Sequence, residues 1–216
     1  MSNEAKALSA LLEANHKLNV ARSDFQENGS TDAKIKAITA AIEQAFAAGD
    51  STDAGLSLIL MTDVLVEVQS PVAAKLLLRV LGHTDPGIRV SAGEALVELL
   101  AENWNDGAKA IESYIATDGA SLDALRELPF VLAEVAEPAG AELIAKLLAH
   151  KDADVAASAI EALVELGNDE HMDAMRALVS DKRELSVEED DDSGVAGGTL
   201  GELANDALEV LSTLAR

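Results

Sequence analysis

The side chains best spaced for chemistry are two His-x-Asp pairs, His83-x-Asp85 and His150-x-Asp152. An imidazole and a carboxylate so close could give a metal two ligands. Two ligands make a poor site, since even catalytic zinc takes three from the protein, and the two pairs are too far apart in the chain to share an ion. A structural role fits the same residues. Histidine near a helix C-terminus is favoured by the helix dipole, and aspartate caps the helix that follows. The run Glu189-Asp190-Asp191-Asp192-Ser193-Gly194 invites a calcium loop, which needs Asp first and a bidentate Glu in the twelfth place. Counting from Glu189, that place falls on Leu200, so a weak site at most is expected. Serines fall at caps and turns, the four histidines are scattered, and no glycine-rich loop follows a strand. The abundant carboxylates read as solvated surface. The expectation is a protein with no catalytic residues, no cofactor and no metal site.

These residues sit within a stretch that occurs twice. Residues 73–102, AAKLLLRVLGHTDPGIRVSAGEALVELLAE, match residues 140–169, GAELIAKLLAHKDADVAASAIEALVELGND, in a constant register. A degenerate copy between them is marked by Asp118. A period in the thirties, filled by two helices and an Asp-marked turn, is the mark of an α-solenoid. The predicted fold is all-α: a right-handed α-solenoid of about five helical pairs plus an N-terminal capping helix. One domain spans 1–216, with a capping helix at 1–29, repeats at 30–181, an acidic flexible insertion at 182–199 and a C-terminal capping helix at 200–216.

Apolar spacing and stop signals place the helices. The first, to about residue 26, carries Leu8, Leu11, Leu12, Leu18 and Phe25 on one face, expected to cover the open end of the stack. Helices at 31–48 and 53–68 follow, the second apolar enough to be buried on most sides. Ser70-Pro71 and Asp85-Pro86 open the next two, because proline in a first helical turn loses no hydrogen bond. Trp104 is placed in a link. Pairs at 107–116 with 120–136, 139–149 with 153–166, and 169–180 with 200–215 complete the chain. Pro129 cannot donate to the Leu125 carbonyl, which predicts a kink or break. The insertion has too few apolar residues to pack on a core and reads as disordered.

About half of the residues are apolar and only 2% are aromatic, so Ala, Leu, Val and Ile supply the packing. There is no cysteine, which excludes disulfides and thiolate chemistry. The N-terminus lacks the pattern of a signal peptide, and no apolar run is long enough to span a bilayer; a cytoplasmic setting is expected. The net charge of −23 opposes nucleic acid and anionic membranes; it would steer a basic protein surface toward the chain, but a solubility coat is the commoner reason for such charge, and adaptation to a salty cytoplasm is another. Residues 1–50 are nearly neutral, with seven acids and five bases, so the acidity lies on the repeats.

The stretches D85-P-G-I-R-V-S-A-G-E-A-L-V-E-L-L100 and D152-A-D-V-A-A-S-A-I-E-A-L-V-E-L-G167 resemble the HEAT-like repeat, in the short bacterial form of phycobilin-lyase-type proteins. Ile88-Arg89 matches that pattern's Val-Arg pair, whereas Val155-Ala156 lacks the arginine. The resemblance implies a scaffold or adaptor with a binding surface. HEAT-like di-iron hydroxylases use His-Glu pairs, absent from this sequence, and HEAT-like DNA glycosylases need a basic cleft that this charge opposes.

Opposite the core face of the second helices runs another apolar stripe. Val90, Gly93, Val97 and Leu100 lie beside Glu94 and Glu98; Ala157, Ile160 and Val164 lie beside Glu161 and Glu165. If second helices line a concave side, this is an apolar groove with acidic walls, suited to an amphipathic helix edged with Lys or Arg. The same residues could equally touch the next repeat. Trp104 could lid a seam or anchor an interface. The expected function is a non-enzymatic scaffold or adaptor that binds another protein at these positions. Alternatives are an accessory protein of chromophore attachment or another enzyme system, an acidic inhibitor or immunity-type partner of a basic protein, and a homo-oligomer built through the stripe.

Overall fold

The computed structural model describes residues 2–68, 70–135, 137–167, 169–186 and 198–214. They are all-helical, apart from an isolated antiparallel bridge between Glu184 and Thr199. No helix among them is long and apolar enough to cross a membrane. The chain divides into two compact units, Met1–Ala73 and Ala74–Arg216.

The first unit holds α1 (Asn3–Glu27), α2 (Thr31–Ala47) and α3 (Thr52–Glu67). Each opens on a serine: the hydroxyls of Ser2, Ser30 and Ser51 accept from the amides of Ala5, Ala33 and Ala54, satisfying donors that have no partner within the helix. Gly29 and Gly49 follow α1 and α2 at φ +84° and +67°, where a side chain would be strained. Helices α2 and α3 pack together through Ile38, Ile42, Leu58 and Leu65, all buried. Leu56 of α3 is exposed, so burial on most sides does not extend to it. Helix α1 has no buried residue at all, and its leucines expected to be covered, Leu8, Leu11, Leu12 and Leu18, are exposed.

The second unit runs through α4 (Ala73–Leu81), α5 (Pro86–Glu102), α6 (Trp104–Ile115), α7 (Leu122–Val135), α8 (Pro138–Leu147), α9 (Ala153–Glu165), α10 (Met172–Arg176) and α11 (Leu200–Leu214). Helix α5 packs on α7, α7 on α9 and α9 on α11, while α6 packs on α8. Small residues allow the close approach: Ala92, Ala124, Ala159 and Ala204 are fully buried, one on each of the four helices. Leu96, Leu132 and Leu163 fill the layer between them with no exposed surface, each contributing about 1.5–3 kcal/mol.

The His-x-Asp pairs are turn hardware. Asp85 accepts from the amides of Gly87 and Ile88 at 2.8 and 3.4 Å, and Asp152 from that of Val155 at 3.2 Å. His83 Nδ1 accepts from the Asp85 amide at 3.0 Å, and His150 Nδ1 from the Asp152 amide at 3.1 Å. Each imidazole thus fastens its Asp at the head of the next helix.

Several local expectations change. Trp104 is the first residue of α6, not part of a link. Helix α7 continues through Pro129, which is buried between Leu128 and Val131; proline's φ suits a helix, and this packing outweighs one lost hydrogen bond. Asp118 lies in an exposed turn, and α7 begins at Leu122, so the middle repeat is marked by its apolar pattern and not by that aspartate. The helix expected over 169–180 shortens to α10, after which the chain turns across the start of α11. The insertion is pinned at its base, where Leu185 donates to the Gly198 carbonyl and Leu200 to that of Arg183. Residues 187–197, with the acidic run weighed for calcium and most of the stretch read as disordered, lie outside the described residues.

Candidate functional site

A groove of about 510 Å³ opens across the start of α5 and the first two-thirds of α7 and α9 and is closed on one side by Leu185 and Ser186 at the foot of the insertion. Arg89, Arg126, Glu127, Phe130, Asp154 and Glu161 give it its chemistry. Leucine and alanine faces turn inward at each helix and leave these longer side chains at the rim.

Both guanidinium groups are committed. Arg89 pairs with Glu127 at 3.0 Å and donates to the carbonyls of His83 and Thr84 at 3.2 and 2.9 Å. Arg126 reaches Asp152 at 3.2 Å and Asp154 at 2.9 Å, and its buried Nε has no hydrogen-bond partner among the described residues. Asp154 also accepts from the Ser186 amide and hydroxyl at 2.8 and 2.6 Å. Burial pushes the Asp154 carboxyl up, but the two Ser186 hydrogen bonds and the Arg126 charge outweigh it and hold the group below the usual carboxylate range. Glu161 has no such help; although its side chain reaches water, the groove walls crowded around it desolvate the carboxyl in part and raise it. With the arginines neutralised locally, Asp123, Glu161 and the aspartates leave the groove net acidic. Phe130, 37% exposed, adds an aromatic ring to the groove's lining. A carboxylate rim around an aromatic face takes a cationic side chain with an apolar stem.

The stripe expected from the sequence divides. Val90 is 61% exposed, Val97, Val164 and Trp104 are part-buried, and Glu94, Glu98, Glu161 and Glu165 are exposed. Gly93, Leu100 and Ile160 are buried and cannot meet a partner, and Ala157 is buried but for a small area facing the groove. Their burial has a plain cause: α5 and α9 are flanked by neighbours. A Cβ at Gly93 would lie 3.5 Å from Val131 of α7, Leu100 rests on Gly107 of α6, and α9 is held between α7 and α11. Only Ala157 and Glu161 of the expected set line the groove. Arg126, Phe130 and Ser186 were missed, because the middle repeat diverges from the other two and the insertion reads as unstructured.

Glu142 of α8 and the adjacent Glu170 and His171 bring one ligand-type atom each within 4.8 Å of one another. His171 Nε2 stands 4.0 Å from Glu142 and has no hydrogen bond among the described residues. These are the residues that could hold a divalent ion, though both glutamates are exposed, and so acidic a surface brings carboxylates together without one.

No protein-family model matches the chain, and no curated protein matches it. A crystal structure of an engineered protein is similar over 89% of each chain at 19% identity, with a TM-score of 0.36. A likeness at that level carries nothing about fold or function.

Proposed function

We infer that the chain is a non-enzymatic adaptor of HEAT-like, α-solenoid type, whose groove over α5, α7 and α9 receives a basic amphipathic helix of another protein. The observation that carries this is the exposed ring of Phe130 inside a net acidic groove whose own arginines are already paired. The side-by-side succession of α5, α7, α9 and α11 supports the solenoid reading. The duplicated text at 73–102 and 140–169 supports the HEAT-like one. Insertions in repeat arrays gather on one face, often the binding face, and here the insertion's foot forms a wall of the groove.

The test is affinity capture at low and high salt with the wild type, Phe130→Ala and Glu161→Lys. A partner held at low salt and lost by both variants supports the groove. A partner retained equally by both places binding elsewhere. Fast, strongly salt-dependent association with a single basic protein would favour the inhibitor-type alternative over a general adaptor.

A further inference from the structure

We propose that the N-terminal half of α1 is a self-association element: Leu8, Leu11 and Leu12 of one copy seat in the apolar groove between α1, α2 and α3 of a second copy, reciprocally. This surface belongs to the first unit and is separate from the groove over α5, α7 and α9.

Length makes the case first. At 1.5 Å per residue, the 25 residues of α1 run about 37 Å, whereas α2 and α3, with 17 and 16, run about 25 Å. The excess lies at the N-terminal end. Arg22 pairs with Glu67 and Asp63, Gln26 bonds to Glu67, and Lys34 donates to the Gln26 carbonyl, all near the end of α1. Residues 2–21, by contrast, are exposed without interruption. On that free length, Leu8, Leu11 and Leu12 share one face and are 58%, 68% and 62% exposed. In proteins most helical stability comes from packing of an apolar face, and this one has nothing packed on it among the described residues of the unit.

The same unit offers a receptor for those leucines. A groove of about 300 Å³ is lined almost wholly by apolar atoms of Leu18, Phe25, Ile38, Ala41, Leu60 and Met61. A stripe and a groove on one unit form a self-complementary pair, the condition for a two-fold, isologous contact.

Charge selects the occupant. The chain carries −23, yet the first unit, residues 1–73, holds ten acids against five bases. Two copies meeting through the second unit would bring together most of that like charge. Meeting through α1, they approach where repulsion is least. A basic foreign partner would gain less here than on the second unit, because the first unit carries −5 and the second −18.

Sedimentation velocity on the full chain tests this at about 1–100 µM. The wild type is expected as a dimer, with Leu11→Glu/Leu12→Glu weakening association about 100-fold or more. Ala10→Glu, on the opposite face, controls for added charge and should leave the dimer intact. Because the double variant could also unfold the free half of α1, the cysteine-free background supplies a second readout. Mixed Leu12→Cys and Ala41→Cys chains should form an intermolecular disulfide heterodimer under mild oxidation, while neither variant alone should. A wild type monomeric at every concentration overturns the proposal, as does Leu12→Cys linking chiefly to itself. Neither result bears on binding at Phe130, which is assayed separately.

Discussion

Arg183 Nη1 donates to the carbonyl oxygen of His150 at 2.7 Å, and to that of Lys151 at 2.9 Å. It repeats what Arg89 does to His83 and Thr84, at 3.2 and 2.9 Å. Ala156 occupies the position equivalent to Arg89, so the second copy of the repeat has lost its own arginine. The guanidinium is supplied instead from the foot of the insertion, where Asp181 holds it with hydrogen bonds of 2.7–3.1 Å.

Removing Arg183 should therefore act on the turn before α9 and not only on the insertion. Arg183→Ala is expected to lower stability by about 1–2 kcal/mol, through carbonyls that lose a charged donor. Arg183→Lys should restore only part of this, because an ammonium lacks the planar fork. Urea unfolding midpoints at unchanged slope measure the effect; an Arg183→Ala midpoint equal to wild type would show that the contact contributes nothing.

Gly201 and Gly107 make a contrasting pair. A Cβ at Gly201 would stand 2.6 Å from the Val179 carbonyl oxygen and 2.7 Å from that of Asp181, both backbone atoms. At Gly107 it would meet chiefly the end of the Leu100 side chain, which can rotate. Gly201→Ala is expected to cost about 1–3 kcal/mol by overpacking. Gly107→Ala should cost less, since alanine's better helix propensity offsets part of the clash. Thermal melts of the two variants side by side decide it.

Two carboxylates of one groove should respond to acid in opposite senses. The folded-state pKa of Asp154 lies below its ordinary value, so its contribution is present above the unfolded pKa and lost as pH falls through the folded one. The folded-state pKa of Glu161 lies above its ordinary value, so its contribution is present below the unfolded pKa and lost as pH rises through the folded one. Asp154→Asn should flatten the acid limb of the stability profile. Glu161→Gln should remove the loss on its upper side. Denaturation midpoints from about pH 3 to 7, spanning the carboxylate range, would show the two slopes, and identical slopes would refute the assignment.

Stability and binding should separate along the sequence-derived stripe. Ile160 has no exposed surface, and Ile160→Ala is expected to cost about 2–5 kcal/mol. That loss should appear in unfolding, with no change in the affinity of the folded fraction. Phe130→Ala should behave in reverse, weakening capture of a basic helical peptide about tenfold or more while changing stability little. Parallel calorimetry and unfolding curves test both directions.

Most helices could be placed from the sequence because their signals are local. Serine and aspartate caps, glycine stops and three-to-four-residue apolar spacing act within a few residues, and Ser30, Ser51, Asp85 and Asp152 cap as their neighbourhoods require. Where a long-range contact competes, local reading fails: Pro129 stays helical inside a packed layer, and the chain after α10 bends over Gly201.

The sequence by itself determined an all-helical chain with duplicated turns and an acidic surface, since helix spacing, caps and charge are properties of short stretches. Tertiary structure alone decided which apolar residues are covered. Periodicity places Val90 and Ile160 on equivalent stripes, but only the packing of α9 between α7 and α11 buries one while the other stays in water. The same holds for the groove: Arg126, Asp154 and Ser186 come from separate segments, and a charge acts on whatever lies within a few ångströms, whatever the distance along the chain.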